Sequence, residues 1–194
     1  MKGRIYIAGA FTTVVRSKCG QLGQLDNDPH FWEDPPTWGI CRPDIRETLN
    51  QNDYVFYVLP MKSELPQMIF GYLRIREIIT HAEAYHRPRL HLKKMGNKNP
   101  NGNIIVDANG DYNRYDANLH RDRFDKIKMH YAIGYQNDSS RLSTRRIRDL
   151  APTFLAALNR IFGCRERRVI DAVSRWGKVL SADQVLELLA WLNQ

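Results

Sequence analysis

The stretch WGICRPDIRETLNQNDYVFYVL, residues 38–59, followed by MIFGYLRIREII, residues 68–79, decides the expected fold. The segments 53–59 and 68–79 are rich in β-branched and aromatic residues, which is the composition of buried strands. PDIRETLN, before the first strand, predicts a short helix with Pro43 suited to its first turn. Gly71 marks a place where the second strand can bulge. These elements indicate a mixed α+β domain built on a curled sheet.

Outward from this stretch, the patterns predict further strands at 3–9 and 130–134 and a short helix that stops before Pro88. Three helices are expected to close the chain, with Ser181 capping the last of them. Their apolar stripes, which include Phe154, Leu158, Ile161, Val185, Leu188 and Leu192, are expected to be core. The predicted organisation is a sheet domain over 1–140 and a basic helical tail over 141–194.

Charge points to a polyanionic partner. The 194 residues carry a net charge of +8, with a pI near 9.5. Residues 141–168 hold eight arginines against Asp149 and Glu166, so they contribute +6 of that charge. Arginine can fork onto a phosphate group, which favours nucleic acid contact. The alternative is a solvated basic helix face without a partner.

The cysteine count and the length of the apolar runs indicate where in the cell the protein is expected. Three cysteines, Cys19, Cys41 and Cys164, cannot all pair, which favours a reducing compartment, and we expect a cytoplasmic protein. No apolar run approaches the roughly 18 residues that a membrane span needs. We therefore expect no membrane association. We also expect no cofactor.

The segment GNIIVDANGDYNRYD, residues 102–116, is a candidate for three structures: a metal loop, a hairpin or a pocket edge. A calcium loop starting at Asp107 would need Gly and Glu where Tyr112 and Asn118 stand. The pair Asn109-Gly110 is a strong hairpin turn signal. His81, His86 and His91 are spaced by five and do not align on one helix face, so no metal site is predicted.

Several of these segments together resemble the second nucleotide-modification-associated domain family of phage and bacterial proteins. The resemblance is carried by residues 38–59, by FGYLRIREII and by the run from Gly102 to Gly134. The order of elements is also similar to the PUA-like barrels of the EVE, YTH and ASCH groups. Asn52 stands where those proteins usually have Gly before Asp53. The resemblance covers roughly residues 1–140 and implies a PUA-like curled β-barrel with short helices, followed by a C-terminal helical appendage.

The resemblance implies a module that reads a modified or flipped base, in a phage or bacterial DNA-modification, restriction or defence setting. DNA is favoured over RNA as the partner. A base removed from its stack needs flat apolar faces and a few polar groups at its edge. The implied base pocket comprises Phe11, Trp32, Trp38, Tyr57, Asn103 and Asp107. The candidate phosphate contacts are Arg42, Arg46, Arg121, Arg123, Lys126 and Lys128, to which the basic tail outside the resemblance adds Arg141, Arg145 and Arg146.

Three alternatives stay open. The strand aromatics could be plain core, since one side of each strand must be buried. The protein could be an enzyme on nucleic acid or nucleotides, or a small-nucleotide sensor; His120, Asp107 and His130 are then candidate acid–base groups. Finally, the C-terminal helices, with Trp191, could form a surface for a protein partner or a second copy of the chain.

Overall fold

The computed structural model describes residues 1–8, 28–31, 34–61, 65–100 and 102–194. Within them the chain is α+β, with seven strands and six α-helices. It divides into two compact units. The first unit contains the described residues of 1–8, 52–74 and 140–194, and the second contains those of 28–51 and 75–139.

In the first unit, the sheet is built from one parallel and several antiparallel pairings. β1 (Gly3–Ile7) pairs in parallel with β3 (Tyr54–Val58), and β3 pairs with the first half of β4 (Ile69–Ile79). β6 (Ser140–Arg141) also pairs with β4, while β7 (Lys178–Leu180) pairs with β1. The register of β3 and β4 shifts next to Gly71, where a bulge was predicted.

Three helices complete the first unit. α4 (Thr144–Phe162) is capped by Ser143 and ends at Gly163, whose φ of 63° suits glycine. α5 (Val169–Val173) is short, and α6 (Ala182–Leu192) starts at the predicted Ser181 cap. The apolar stripes are buried as expected, and Trp191 is buried against Phe154 with ring centroids 5.5 Å apart. Trp191 is therefore part of this core rather than an exposed oligomer face.

The second unit has less regular structure. Its strands are β2 (Thr37–Trp38), β5 (Tyr131–Gly134) and the second half of β4, in the order β2-β5-β4. Its helices are α1 (Pro43–Arg46), α2 (His81–His86), α3 (Phe124–Ile127) and 3-10 turns at Pro88–Lys93, Arg114–Asp116 and Arg121–Arg123. Its core includes Ala84, Leu90, Ile104, Ile105, Val106, Ile127, Tyr131 and Ile133.

The predicted strands and helices are largely confirmed, whereas their assembly differs from the expectation. The expected hairpin is reduced to one bridge between Val106 and Tyr112 around Gly110, whose φ is 82°. Among the described strands the sheet is not closed, so a PUA-like barrel is not confirmed. One boundary between the compact units lies at residue 140, but residues 140–194 share their unit with residues 1–8 and 52–74, and β7 of the predicted tail is paired with β1. No helix in the described part of the chain is long and apolar enough to cross a membrane.

Candidate nucleic-acid interface

Of the residues predicted to form the base pocket, Trp38, Tyr57 and Asn103 are core residues, whereas Asp107 is half-buried. Trp38 and Asn103 are fully buried in the second unit. Tyr57 is fully buried in the first, with its ring centroid 5.4 Å from that of Tyr6. Asp107 accepts hydrogen bonds from backbone N–H groups within its own turn. Phe11 and Trp32 lie outside the described residues. Trp38, Tyr57 and Asn103 are thus buried in the structure, and a role for them in a base pocket stays a prediction.

A buried polar cluster explains why Asn103 is in the core; it consists of Asp28, Arg46, His81 and Asn103. The Asp28 carboxylate accepts hydrogen bonds from the backbone N–H groups of Gly39 at 2.6 Å and Ile40 at 2.8 Å, and also from that of Cys41. Burial raises the pKa of Asp28, while the Arg46 charge and these N–H donors oppose the rise. The carboxylate thus organises the turn after β2.

Asn103 links that turn to β5. Its amide oxygen accepts a hydrogen bond from the Tyr131 hydroxyl at 2.7 Å, and its amide nitrogen donates to Thr37 Oγ1 at 3.1 Å. Both partners are fully buried. A buried amide whose oxygen and nitrogen are both hydrogen-bonded is a structural group, because binding a ligand would require breaking those bonds.

Arg46 has an equally structural position. It is fully buried on α1, where its guanidinium donates to the backbone carbonyls of His130 at 2.6 Å, Cys41 at 2.5 Å and Ile127 at 3.5 Å. Its Cζ atom lies 5.5 Å from the centroid of the Trp38 ring. The expected phosphate contact of Arg46 is therefore corrected: its donors are directed to the backbone of its own unit.

His81 completes the cluster in its neutral form. Its Nε2 atom donates to the Gly39 carbonyl at 2.8 Å, and its Nδ1 atom accepts from the Ile105 N–H at 3.3 Å. Burial, and then the nearby Arg46 charge, lower the pKa of His81 to about 3. A histidine that stays neutral at pH 7 and has both nitrogens occupied is poorly placed to exchange protons with a substrate.

A second arrangement of polar groups lies near the surface of the same unit, in the segment Tyr112–Lys128, which we call the basic loop. Asp116 is buried, and one carboxylate oxygen accepts from Nδ1 of His120 at 2.8 Å. The other accepts from the His120 backbone N–H at 2.9 Å and from the Tyr112 hydroxyl. The His120 side chain keeps 23% of its surface exposed.

The protonation states in the basic loop follow from these contacts. Burial alone would raise the pKa of Asp116, but the hydrogen bonds from His120 and Tyr112 outweigh it and hold the pKa below its usual value. Burial, and then the bond to Asp116, raise the pKa of Tyr112 to about 12, so its hydroxyl stays protonated. With Nδ1 of His120 donating to Asp116, Nε2 is the nitrogen left to accept a proton.

The remaining predicted phosphate contacts of the second unit differ in exposure. Arg121, Arg123 and Lys126 are exposed on the basic loop. The Arg121 guanidinium lies 6.0 Å from the Tyr112 ring centroid. Two other predicted cations have acidic neighbours: Lys128 pairs with Asp125 at 2.6 Å, and Arg42 pairs with Asp44 at 2.7 Å.

In the first unit, the predicted cations lie on and before α4. Arg145 is 92% exposed and has Asp149 at 3.7 Å. Arg146 donates to the Leu192 carbonyl at 2.9 Å and so holds α4 against α6. Arg141 is half-buried on β6. Of these three cations, Arg145 is the one presented fully to solvent.

Of the predicted acid–base groups, His120 has a carboxylate partner in the structure that the sequence predictions did not name. That partner is Asp116. Asp107 accepts hydrogen bonds from backbone N–H groups of its own turn, and the backbone carbonyl of His130 accepts one from Arg46. The sequence contains a usable signal, because Asp116 and His120 are four residues apart and can face each other over one helical turn. Among the described residues there is no group of three His, Cys, Asp or Glu side chains that could hold a metal ion.

Compared with known proteins, the chain matches no family model, no curated protein sequence and no solved structure. The resemblance to nucleotide-modification-associated and PUA-like proteins therefore stays a prediction from the sequence.

Proposed function

We propose that this protein is a nucleic-acid-binding module that contacts phosphates through the basic loop. The observation that carries the proposal is the combination of exposed cations, Arg114, Arg121, Arg123 and Lys126, with an exposed aromatic ring, Tyr115, in this one short segment. The Arg114 guanidinium lies 5.1 Å from the Tyr115 ring centroid. Cations beside an aromatic surface suit single-stranded nucleic acid, whose backbone is anionic and whose bases stack.

The basic loop is held in place before any ligand binds. Asn113 is buried, and its amide nitrogen donates to the Met95 carbonyl at 2.9 Å. Its amide oxygen accepts from the Tyr115 N–H at 3.0 Å, which caps the 3-10 turn. Asp116 then ties Tyr112 to His120. Pre-organisation of this kind reduces the entropy lost on binding.

The finer parts of the proposal rest on the sequence. DNA as the partner, a modified or flipped base as the feature read, and a phage or bacterial modification or defence setting all come from the resemblance to the PUA-like proteins. Arg145 and its neighbours on α4 would add phosphate contacts. A protein partner or a second copy would meet the first unit at its exposed apolar residues, such as Val179 and Leu186.

The test is binding of the full chain to labelled single-stranded DNA and RNA, measured by fluorescence anisotropy over a series of salt concentrations. We expect Arg121→Ala with Arg123→Ala to weaken binding and to flatten the salt dependence by about 0.7 per lost phosphate contact. Lys98→Ala, which removes an exposed charge outside the basic loop, is the matched control. Equal effects of both variants would show that the loop has no special role, and no binding at low salt would overturn the proposal.

The Asp116–His120 pair favours a second candidate function, an enzyme acting on nucleic acid or nucleotides. A buried carboxylate that fixes one histidine nitrogen leaves the other as a general base. If this holds, His120→Ala abolishes turnover and leaves nucleic acid affinity unchanged, and Asp116→Asn lowers the rate. Turnover that survives His120→Ala, or absence of turnover in the wild type, would reject this candidate.

A further inference from the structure

An apolar pocket with a rim of arginines lies within the second unit, on residues that the sequence predictions did not select. Its volume is about 360 Å³. Pro35, Leu90 and Ile133 form its buried apolar floor, the exposed Pro88 completes its apolar part, and Arg76, Arg87 and Arg89 form its rim. Such a combination provides both a surface for a flat ring and charges for an anion.

The apolar part is set by the packing of β5. Ile133 and Leu90 are buried in one core cluster of the second unit. Pro35 is placed beside them because the carbonyl of the next residue, Pro36, accepts a hydrogen bond from the Gly134 N–H at 2.8 Å. Pro88 opens the 3-10 turn that carries Leu90. Pro88, Leu90 and Ile133 therefore belong to regular elements, the 3-10 turn and β5, which fix the positions of the apolar lining.

The rim depends on a β-bulge. Ile75 pairs with Gly134 and Glu77 pairs with Ile133, so Arg76 is the extra residue of β4 at this point. A bulge turns side chains away from the regular alternation of a strand. Glu77 then accepts from Arg87 at 2.7 Å and from Arg76 at 3.0 Å, which holds both guanidiniums at the pocket.

The rim keeps a net positive charge. Burial alone would raise the pKa of Glu77, but the hydrogen bonds from Arg87 and Arg76 outweigh it and hold the pKa below its usual value. The ionised Glu77 pairs with Arg76 and Arg87, so this carboxylate and the three guanidiniums of the rim together carry a charge of +2 (three minus one). Arg89 is exposed and has no hydrogen bond or ion pair with any residue that the structure describes. It is available for an anion.

We propose that this pocket holds one nucleobase of a bound single strand, with the adjoining phosphate on the arginine rim. The volume is at the lower end of the range for small-molecule pockets, about 300–1,000 Å³, and so suits one nucleotide rather than a longer segment. Guanidinium groups stack on flat rings and form bidentate hydrogen bonds with phosphates, so the same rim can contact both the base and the phosphate of a nucleotide. This inference rests on the proposed nucleic-acid-binding function and locates its base pocket away from Trp38 and Tyr57.

The test compares a labelled single-stranded oligonucleotide with an abasic one of equal length, which carries the same phosphates. We expect the wild type to bind the oligonucleotide with bases about tenfold more tightly, since stacking of one base has roughly that effect. Arg89→Ala and, separately, Arg76→Ala should reduce this preference to about twofold or less. Lys98→Ala removes one exposed charge outside both the pocket and the basic loop and should leave the preference unchanged.

The outcomes separate this inference from the proposed function. If the wild type binds both oligonucleotides equally, or if both rim variants keep the full preference while folded by circular dichroism, the base pocket is not here. Salt-dependent binding through the basic loop would survive that result. If the wild type binds neither oligonucleotide at low salt, the proposed function itself is overturned.

Discussion

The buried polar cluster around Asp28 and the basic loop around Asp116 contain the same residue types in two different environments. The first has Asp28, His81 and Arg46 with the adjoining Tyr131, and the second has Asp116, His120, Tyr112 and the adjoining Arg121. In the cluster, the donors of Arg46 are directed to backbone carbonyls and both nitrogens of His81 are occupied. In the loop, the aspartate is buried while its histidine and arginines reach solvent. Residue type alone therefore does not separate a structural group from a binding group, whereas burial and hydrogen-bond partners do.

The largest expected effect is on the buried cluster. Arg46→Ala removes the donors to the carbonyls of Cys41 and His130 and leaves Asp28 without its compensating charge. We expect the free energy of unfolding to fall by about 3–5 kcal/mol, as when one partner of a buried charge network is removed. Denaturant unfolding measures this. Arg145→Ala is the control and should change stability by less than about 0.5 kcal/mol. A small effect of Arg46→Ala would mean that the cluster is not structural.

A second prediction concerns Gly39, whose carbonyl and N–H both bind members of the cluster. A Cβ atom there would lie 2.7 Å from Cε2 of Tyr131 and would also meet the Asn103 carbonyl oxygen. Gly39→Ala should therefore lower the free energy of unfolding by about 1–3 kcal/mol, the usual cost of overpacking. Gly96→Ala is the matched control because an added Cβ there meets nothing within 4 Å. Equal stabilities of the two variants would contradict the tight packing of this turn.

A third prediction uses pH. The pKa of His81 is about 3 in the folded protein, below its ordinary value of 6.5, so the unfolded chain binds the proton first. The contribution of the neutral His81 to the free energy of unfolding is fully present above pH 6.5 and is lost as the pH falls towards 3. Between pH 7 and pH 5 we expect a loss of about 2 kcal/mol, and His81→Gln should remove most of this pH dependence. Identical pH profiles of wild type and variant would refute the assignment of a neutral buried His81.

The smallest effect on stability is expected in the basic loop. The side chains of Arg123 and Lys126 are exposed and make no hydrogen bond or ion pair with the part of the chain that the structure describes. Replacing both by Ala should change the free energy of unfolding by less than about 0.5 kcal/mol. Thermal unfolding measures this directly. A large loss of stability would show that the loop belongs with the structural cluster rather than with a binding surface.

The sequence predicted the elements better than their environment. Apolar periodicity and caps such as Ser181 located β3, β4 and the three tail helices, because these signals are local. The pairing of β7 with β1 was missed, since pairing of distant segments leaves no local signal.

The candidate site was harder to predict for the same reason. Trp38 and Arg46 have the residue types of a base cage and a phosphate contact, and only their burial shows that they are core. The sequence predictions named no partner for His120, and chain folding brings Asp116 to it. The arginine rim depends on a bulge at Arg76, which neither composition nor periodicity indicates.

The most direct test of this account measures both stability and single-stranded DNA affinity for Trp38→Phe and for the double variant Arg121→Ala with Arg123→Ala. We predict that Trp38→Phe lowers the free energy of unfolding by about 1–3 kcal/mol, because Trp38 is buried under Arg46, and leaves affinity unchanged. The double variant should lower the affinity for single-stranded DNA and leave the free energy of unfolding unchanged. Loss of affinity in Trp38→Phe at unchanged stability would contradict the account and restore Trp38 as a base-contacting residue.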